Sequence, residues 1–363
     1  MARSCSFLHV RMRGRRCRNY AVLMYIVLLN VVIQSGNFGL FCIGSASGRR
    51  LLSRGNTCTR LRLEAVDING VVAAGVPEAD AEDVALLADL VGVNGSEPLC
   101  DPLSLLRFYN CRSKKVGAAA AMYQETMTWR AEFGIKGIMA GYSGSEEYNE
   151  DGMRLNDVRS WNWQPHPVSA EAQLARRFAI FNRLNAKAAD DGAPILLWRV
   201  GAIDYPGIVR EGLVDVLIRA FVAHLEDIMQ TSRAASYKVG RLVRAHLVID
   251  SGGFSLTNLR FLPILRRIVL ILEGHWPEIM ATVTVVQAPW AAVQLFKVVR
   301  PWLSPLIQQK ITILGKQFDE GLRSHSGLDD LSMLPPDLGG ETSDAYGFVE
   351  EVPIGAGEEF RSK

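Results

Sequence analysis

The second half of the chain alternates short β-type runs with longer helical spans, and this alternation limits the possible folds more than any other feature. The β-type runs are residues 195–200, "HLVID" at 246–250, "TVTVVQ" at 282–287 and "ITIL" at 311–314. A segment long enough for a helix separates each run from the next, and parallel strands require such crossovers. We therefore expect an α/β fold with a largely parallel sheet and right-handed crossovers.

The helical spans between these runs are expected to cover the sheet. In the span 259–272 the apolar residues fall on one side, while Arg260, Arg266 and Arg267 lie elsewhere, which is typical of a helix packed on a sheet. Ahead of the first run, residues 173–188 have a helical pattern that leads through "DDGAP" into the strand. The apolar residues of the span 259–272 are Leu259, Leu262, Leu265, Ile268, Val269 and Leu272.

Residues 80–140 have a different pattern. Leucine, methionine and aromatic residues recur there at spacings of three and four, and Pro98, Pro102 and Gly117 interrupt the series. This pattern predicts a small N-terminal helical lobe at 80–140, followed by a separate domain at 155–340. The final residues, 341–363, place glutamates among glycines and are expected to be disordered.

The first 48 residues are typical of a targeting sequence. Arginines precede an apolar run at 21–33, a weaker stretch extends to Ile43, and small residues follow at 44–48. We expect residues 1–48 to be a signal peptide, or a signal anchor if 21–43 spans a membrane, and residues 49–79 to be a linker or presequence. The expected location is the endomembrane system or a secretory-derived organelle, plastids included, with peripheral membrane attachment. Without a functional signal the protein would be cytosolic.

Charge and cysteine content argue against several classes of function. The formal net charge is +2 and much of the positive excess precedes residue 63, so nucleic acid is not an expected partner. The six cysteines have no Cys-x-x-Cys spacing and none follows Cys111, which argues against a disulfide framework or a zinc site. We therefore expect neither a metal nor a cofactor.

A hydrolase is the alternative from another class of function. His246, Asp250 and Ser255 are the residue types of a catalytic triad, but the chain contains no Gly-x-Ser-x-Gly elbow. His246 and Asp250 would lie four residues apart on one strand, about 13 Å, which is too far for a triad. We therefore predict that the protein is not an enzyme.

The segment 291–300, "AAVQLFKVVR", is apolar nearly all round, since only Gln294, Lys297 and Arg300 are polar. A helix of this kind needs apolar neighbours on every side. Two interpretations are open. The segment is a core helix between the sheet and a second layer, or it is a lid that closes an apolar cavity with one face and meets a membrane with the other.

Three stretches of the chain resemble the CRAL-TRIO family of lipid-binding proteins. "LLRFYNCRSKKVGAAAAMYQETMTWRAEFGI" (105–135) is similar to the N-terminal helical motif of the family. Residues 246–315, from "HLVIDSGG" through "HWPE" and "QAPW" to "ITILG", resemble the yeast phosphatidylinositol/phosphatidylcholine transfer protein branch. "LPPDLGG" (334–340) resembles the closing motif of the family.

This resemblance implies a helical N-terminal lobe and an α/β lipid-binding domain with a deep apolar cavity and a gating helix. It implies that the protein binds a phospholipid, phosphatidylinositol in the first place, and transfers or presents it between membranes. The alternative is a carrier of a sterol, a tocopherol or a carotenoid. We expect a membrane surface as a partner and a monomeric protein. The gating residues are Trp290, Val293, Leu295, Phe296, Val298, Val299 and Trp302.

The resemblance also implies a headgroup site. By motif position, the headgroup residues of the phosphatidylinositol-binding members fall on Arg112, Glu278 and Lys310. If the strands at 282–287 and 311–314 are parallel, Glu278 and Lys310 lie at the same edge of the sheet. An ammonium binds phosphate as a point charge, and a carboxylate accepts hydrogen bonds from inositol hydroxyls, so the residue types suit this ligand.

The chain departs from the family at several ligand positions. Ser113 replaces a second basic residue, and Ile307 replaces a threonine that donates to the phosphate. Residues 245–247, "AHL", stand where the choline-lipid pocket has a Ser-x-Thr pair, and Leu196 stands where that pocket has a tyrosine. Because these hydroxyl groups are missing, we expect phosphatidylcholine exchange to be weak.

Overall fold

A five-stranded β-sheet lies at the centre of the fold. The computed structural model describes residues 68–92, 99–143, 178–179, 181–184, 192–326, 328 and 330–341. Within these residues the order of the strands in the sheet is their order in the chain. β2 to β5 are parallel to one another, whereas β1 is antiparallel to β2, so the predicted α/β fold with a mostly parallel sheet is confirmed. The strands are β1 (Phe181–Leu184), β2 (Ile195–Arg199), β3 (Ala245–Asp250), β4 (Met280–Val286) and β5 (Ile311–Ile313).

The expected helix over 173–188 is wrong at residues 181–184, which form β1. This segment pairs with β2 through Phe181 opposite Trp198 and Leu184 opposite Ile195. The Phe181 ring packs edge-on against the rings of Trp198 and Phe221, at centroid distances of 5.8 and 5.3 Å. These long-range aromatic contacts override a local pattern that favours a helix.

The N-terminal helices precede the sheet in the chain. α1 lies inside the range 49–79 that was predicted to be a linker, so regular structure begins earlier than the predicted boundary at residue 80. Its six residues are too few to show a helical period in the sequence. Asp101 caps α3 by accepting a hydrogen bond from the Ser104 backbone N–H at 2.9 Å. The helices are α1 (Ile68–Ala73), α2 (Glu78–Val91), α3 (Pro102–Cys111), α4 (Val116–Phe133) and α5 (Ile135–Ser143).

The remaining helices follow β2 and alternate with the strands. The longest, α7, buries most of one face and carries several buried polar residues. Short 3₁₀ turns lie at Val200–Ala202, Leu256–Phe261, Arg300–Trp302, Leu331–Met333 and Pro336–Leu338. The helices are α6 (Tyr205–Arg210), α7 (Val214–Val239), α8 (Leu262–His275), α9 (Trp290–Val299), α10 (Pro305–Lys310) and α11 (Asp319–His325).

Alternate residues of the strands enter two separate apolar cores, because successive side chains of a strand point to opposite faces. Leu196 and Leu247 belong to the larger core, which also includes residues of the N-terminal helices, α7 and α8. Leu197 and Val248 belong to a smaller core under α11 and the segment 331–338. The sheet is therefore covered on both faces.

Several predicted segments lie outside the described residues. They are the targeting segment 1–48, most of the linker 49–79 and the tail 342–363. Among the helices that the structure does describe, none combines the length and the apolar character needed to cross a membrane.

Candidate functional site

A cavity of about 170 Å³ lies between one face of the sheet and helices α8, α9 and α10. Strand residues such as Leu247, Ile249 and Val283 form its floor. Its lining is apolar except at four residues, Cys111, Glu273, Glu278 and Ser304. Pockets for drug-sized ligands occupy about 300–1,000 Å³. The cavity is therefore too small in this conformation for a two-chain lipid, and an element of its wall must move before such a ligand enters.

Helix α9 forms the outer wall of the cavity. Phe296 and Val299 line the cavity, whereas Ala291 is the one residue of α9 that is fully buried. Trp290 at the start of the helix is 63% exposed. The interpretation of this segment as a core helix between the sheet and a second layer is therefore wrong, because solvent reaches its outer side. The other predicted gating residues are partly buried and do not line the cavity: Val293, Leu295, Val298 and Trp302.

β4 and β5 are parallel, so Glu278 and Lys310, which precede these strands, lie at the same edge of the sheet, as expected. The Lys310 ammonium donates to both carboxylate oxygens of Glu278 at 3.1 Å and to the Met280 carbonyl oxygen at 2.8 Å. Arg244 donates to the second carboxylate oxygen at 2.6 Å. All three Lys310 donors are thus engaged inside the protein.

Burial and charge act against each other at this pair. Burial alone would raise the pKa of Glu278, but the Lys310 ammonium and the Arg244 guanidinium outweigh it, and the pKa lies below its ordinary value. Burial lowers the pKa of Lys310, and the neighbouring Glu278 carboxylate opposes that effect only in part. The pair is therefore held as a charged, partly desolvated unit at the wall of an apolar cavity.

Arg107 fixes the backbone at Glu278. Its side chain is 1% exposed, and it donates to the Glu278 carbonyl oxygen at 2.9 Å and to the Val243 carbonyl oxygen at 2.6 Å. Glu278 has a φ of 52°, in the left-handed region that non-glycine residues rarely adopt. The guanidinium of an N-terminal helix therefore joins the two loops that lead into β3 and β4.

Arg112 ends α3 next to Cys111, a residue of the cavity wall. Its guanidinium is half-buried and makes no hydrogen bond or ion pair with the residues described in the structure. Burial raises the pKa of the Cys111 thiol and of the Glu273 carboxyl, and the Arg112 charge opposes both shifts. Arg112 is therefore electrostatically coupled to the polar end of the cavity while its own donors remain available.

The residues that depart from the family pattern have different positions. Ile307 and Leu247 line the cavity, so their apolar side chains replace hydroxyl groups at its surface. Leu196 is fully buried in the larger core and does not contact the cavity. Ser113 is exposed at the end of α3, with a φ of 52°.

Two residues of the cavity wall with an unpaired buried polar atom were not predicted to be site residues. Glu273 and Trp276 lie at the end of α8, and each has a buried atom without a hydrogen-bond partner in the described part of the chain, Oε1 of Glu273 and Nε1 of Trp276. In the sequence Glu273 reads as part of the polar side of α8 and Trp276 as part of the family motif, so neither was singled out.

The possible triad residues are dispersed among other contacts. His246 Nδ1 lies 3.0 Å from the Thr282 hydroxyl oxygen, and Asp250 pairs with Arg199 at 3.3 Å. Ser255 caps the 3₁₀ turn that precedes α8. In the described ranges no group of three or more histidine, cysteine or acidic residues is arranged to hold a metal ion.

Comparisons with known proteins point to one family. Residues 187–340 match the CRAL/TRIO domain. A CRAL-TRIO domain-containing protein of Saccharomyces cerevisiae is 26% identical over 235 residues, which cover 64% of this chain and 69% of the relative. The SEC14 cytosolic factor of Kluyveromyces lactis is 24% identical over 291 residues, covering 78% and 87% of the two chains. The solved structure of Sfh5 aligns with 81% of this chain and 92% of its own at 12% identity, with a TM-score of 0.45.

Proposed function

We propose that this chain, a CRAL-TRIO protein whose domain spans residues 187–340, binds phosphatidylinositol in its cavity and transfers or presents it between membranes. One observation carries the proposal: an apolar cavity has a single polar end and an outer wall made by a partly exposed apolar helix. A lipid has the same division into an apolar part and a polar end.

The polar end of the cavity supports a phosphate ligand through Arg112. A guanidinium binds phosphate through two parallel hydrogen bonds, and the Arg112 donors are not used by the described residues. Lys310 adds positive charge, although its donors are held by Glu278 and Met280 in this conformation. A bound headgroup would therefore contact Arg112 first and would reach Lys310 by competing with Glu278.

The energetics of release support a gate. A two-chain phospholipid has about thirty acyl CH₂ groups worth about 0.8 kcal/mol each, so more than about 20 kcal/mol opposes its transfer into water. The cavity must therefore open against a bilayer. Helix α9 suits this role because Phe296 and Val299 face the cavity and Trp290 is exposed on the outside.

A vesicle transfer assay tests the ligand. We expect phosphatidylinositol to move between vesicles much faster than phosphatidylcholine, because Leu247 lines the cavity and supplies no hydroxyl group for a choline lipid. Arg112→Met should lower phosphatidylinositol transfer by about tenfold or more, the effect of losing a hydrogen bond to a charged group. Lys310→Ala should lower it less, and the fold should survive because Arg244 still pairs with Glu278.

Matched measurements make this assay decisive. Lys136→Ala, an exposed lysine on α5, serves as the control for loss of a basic residue. Normal phosphatidylinositol transfer by both Arg112→Met and Lys310→Ala would contradict the headgroup assignment, and efficient phosphatidylcholine transfer would contradict the ligand preference.

A carrier of a smaller hydrophobe is the second candidate. The cavity of about 170 Å³ favours it, since a compact ligand requires less movement of α9 than a two-chain lipid does. Mass spectrometry of lipids extracted from the purified protein separates the two candidates, because it identifies a phospholipid or a sterol, tocopherol or carotenoid directly.

We also propose that residues 1–48 direct the chain to the endomembrane system or a secretory-derived organelle. The proposal rests on the order of arginines, apolar run and small residues in this segment. A fluorescent reporter fused after residue 60 should enter the secretory route. Diffuse cytosolic fluorescence would contradict the proposal.

A further inference from the structure

The end of α8 presents an acceptor and a donor that the protein itself does not use. Glu273 Oε1 is buried and accepts no hydrogen bond from the described residues, and Trp276 Nε1 is buried and donates none to them. Trp276 is 3% exposed. A buried polar atom without a partner costs about 1–3 kcal/mol. Two such atoms in the wall of one cavity therefore need an explanation.

Both residues belong to the cavity wall and lie at the end of α8. Glu273 lies in the last turn of α8, and Trp276 is the residue that directly follows the helix. Two basic residues near this end of the cavity are already engaged, because Lys310 donates to Glu278 and Met280 and Arg244 donates to Glu278. These two cations are therefore not available to Glu273 Oε1, and a molecule in the cavity can supply the donor.

We propose that Glu273 and Trp276 form a subsite for a hydroxyl group of the bound lipid, an inference that rests on the proposed lipid-binding function. A hydroxyl is both a donor and an acceptor, so it satisfies the two atoms at once: its O–H donates to Glu273 Oε1 and its oxygen accepts from Trp276 Nε1–H. A phosphate oxygen satisfies the indole alone and is repelled by an ionised carboxylate. A methyl group satisfies neither atom.

The subsite is connected to the gate. The second carboxylate oxygen of Glu273 accepts a hydrogen bond from the Ser304 backbone N–H at 3.3 Å. Ser304 follows α9 and the 3₁₀ turn Arg300–Trp302, and Arg266 of α8 lies over the Trp302 ring at 5.9 Å. Glu273 therefore joins the cavity wall to the residue that follows α9 and its 3₁₀ turn. Movement of α9 and this turn would expose Oε1 of Glu273 to an entering ligand.

The hydroxyl can come from a polyol headgroup or from a hydroxylated ring lipid, and lipid pairs distinguish these sources. The protein is incubated with phosphatidylcholine vesicles that carry one labelled lipid, and the label that stays with the protein is measured. One pair is phosphatidylinositol and phosphatidylmethanol, which has the same phosphodiester charge and no headgroup hydroxyl. The other pair is cholesterol and its 3-deoxy analogue.

We expect the wild-type protein to retain the hydroxylated member of one pair at least about tenfold better than its hydroxyl-free member. Glu273→Leu and Trp276→Phe should each reduce that preference while leaving retention of the hydroxyl-free member unchanged. Glu273→Gln retains an oxygen acceptor and should keep most of the preference. Glu320→Leu, on the exposed side of α11, should behave as the wild-type protein.

Three outcomes overturn the inference. If lipid is retained without any preference for a hydroxyl, or if Glu273→Leu and Trp276→Phe both keep the preference, the subsite is wrong and the proposed lipid function stands. If no labelled lipid is retained in any arm, the proposed function fails together with the subsite. A variant that misfolds loses the hydroxyl-free lipid as well and is recognised by that loss.

Discussion

At the scale of single residues, Glu278 is held from two directions, by the Lys310 ammonium at its carboxylate and by the Arg107 guanidinium at its carbonyl oxygen. Glu278 and Lys310 were expected at one edge of the sheet, and their side chains are 3.1 Å apart. Arg107 was not expected to hold the Glu278 backbone, because the two residues are 171 positions apart and only the folded chain brings them together. The roles of Arg112, Glu278 and Lys310 in headgroup binding remain predictions.

His275 provides a prediction about pH at this scale. Its ring is half-buried and stacks on Trp129 at a centroid distance of 4.1 Å, and burial, helped by the Arg130 charge, lowers its pKa to about 4. In the unfolded chain the His275 imidazole takes up a proton near pH 6.5, whereas in the folded protein it stays neutral at that pH. Stability is therefore fully present above pH 6.5 and decreases as the pH falls toward 4.

Replacement of the imidazole tests this effect. His275→Phe preserves a ring on Trp129 and removes the titrating group, so the free energy of unfolding should decrease less between pH 7 and pH 5 than it does in the wild-type protein. Urea unfolding at the two pH values measures the difference. His325→Phe, at an exposed histidine of α11, serves as the control for the loss of an imidazole. Equal pH dependence of His275→Phe and the wild-type protein would refute the assignment.

At the scale of elements, a segment could be predicted from the sequence when its pattern was clear and turn residues marked its ends. The strands β2 to β5 were recognised because runs such as "TVTVVQ" are both β-branched and bounded by turns. β1 has four residues and α1 has six, too few for a period to emerge, and packing decides their conformation. The sequence also could not show which side of α9 faces the cavity, since apolar residues surround its axis.

The two sides of α9 give the next prediction. Phe296→Asp places a charge on the cavity wall, so lipid loading should decrease strongly, because an unpaired carboxylate is costly to bury. Trp290→Ser changes the exposed outer side, so loading should stay normal while binding to vesicles weakens. Retention of a labelled lipid and co-sedimentation with vesicles measure the two properties separately. A gate is excluded if Trp290→Ser binds vesicles normally and Phe296→Asp loads lipid normally.

At the scale of the whole molecule, buried ion pairs tie the N-terminal helices to α7. Arg130 of α4 donates two hydrogen bonds of 2.8 Å to Glu226, and Arg233 of α7 donates to Asp101 at 2.5 Å. The Arg130 charge and hydrogen bonds keep the pKa of Glu226 below its ordinary value, although burial opposes this. The presence of a buried ion pair is weak evidence for stability. Removal of one partner is nevertheless strongly destabilising, because it leaves the other charge buried and unpaired. These pairs therefore connect α7 to α4 and to the start of α3, the helix that carries Arg107.

Removal of Arg130 tests this connection. Arg130→Met removes two guanidinium hydrogen bonds from the fully buried Glu226 carboxylate and leaves its charge in place, so the free energy of unfolding should decrease by about 3–5 kcal/mol. The double variant Arg130→Met, Glu226→Met removes both charges and should recover much of that loss. Arg267→Met breaks the exposed pair with Asp215, whose side chain is 68% exposed, and should cost less than about 1 kcal/mol. Urea unfolding followed by tryptophan fluorescence and by circular dichroism measures all three variants. If Arg130→Met is no more destabilising than Arg267→Met, the buried pair does not hold the N-terminal helices to α7.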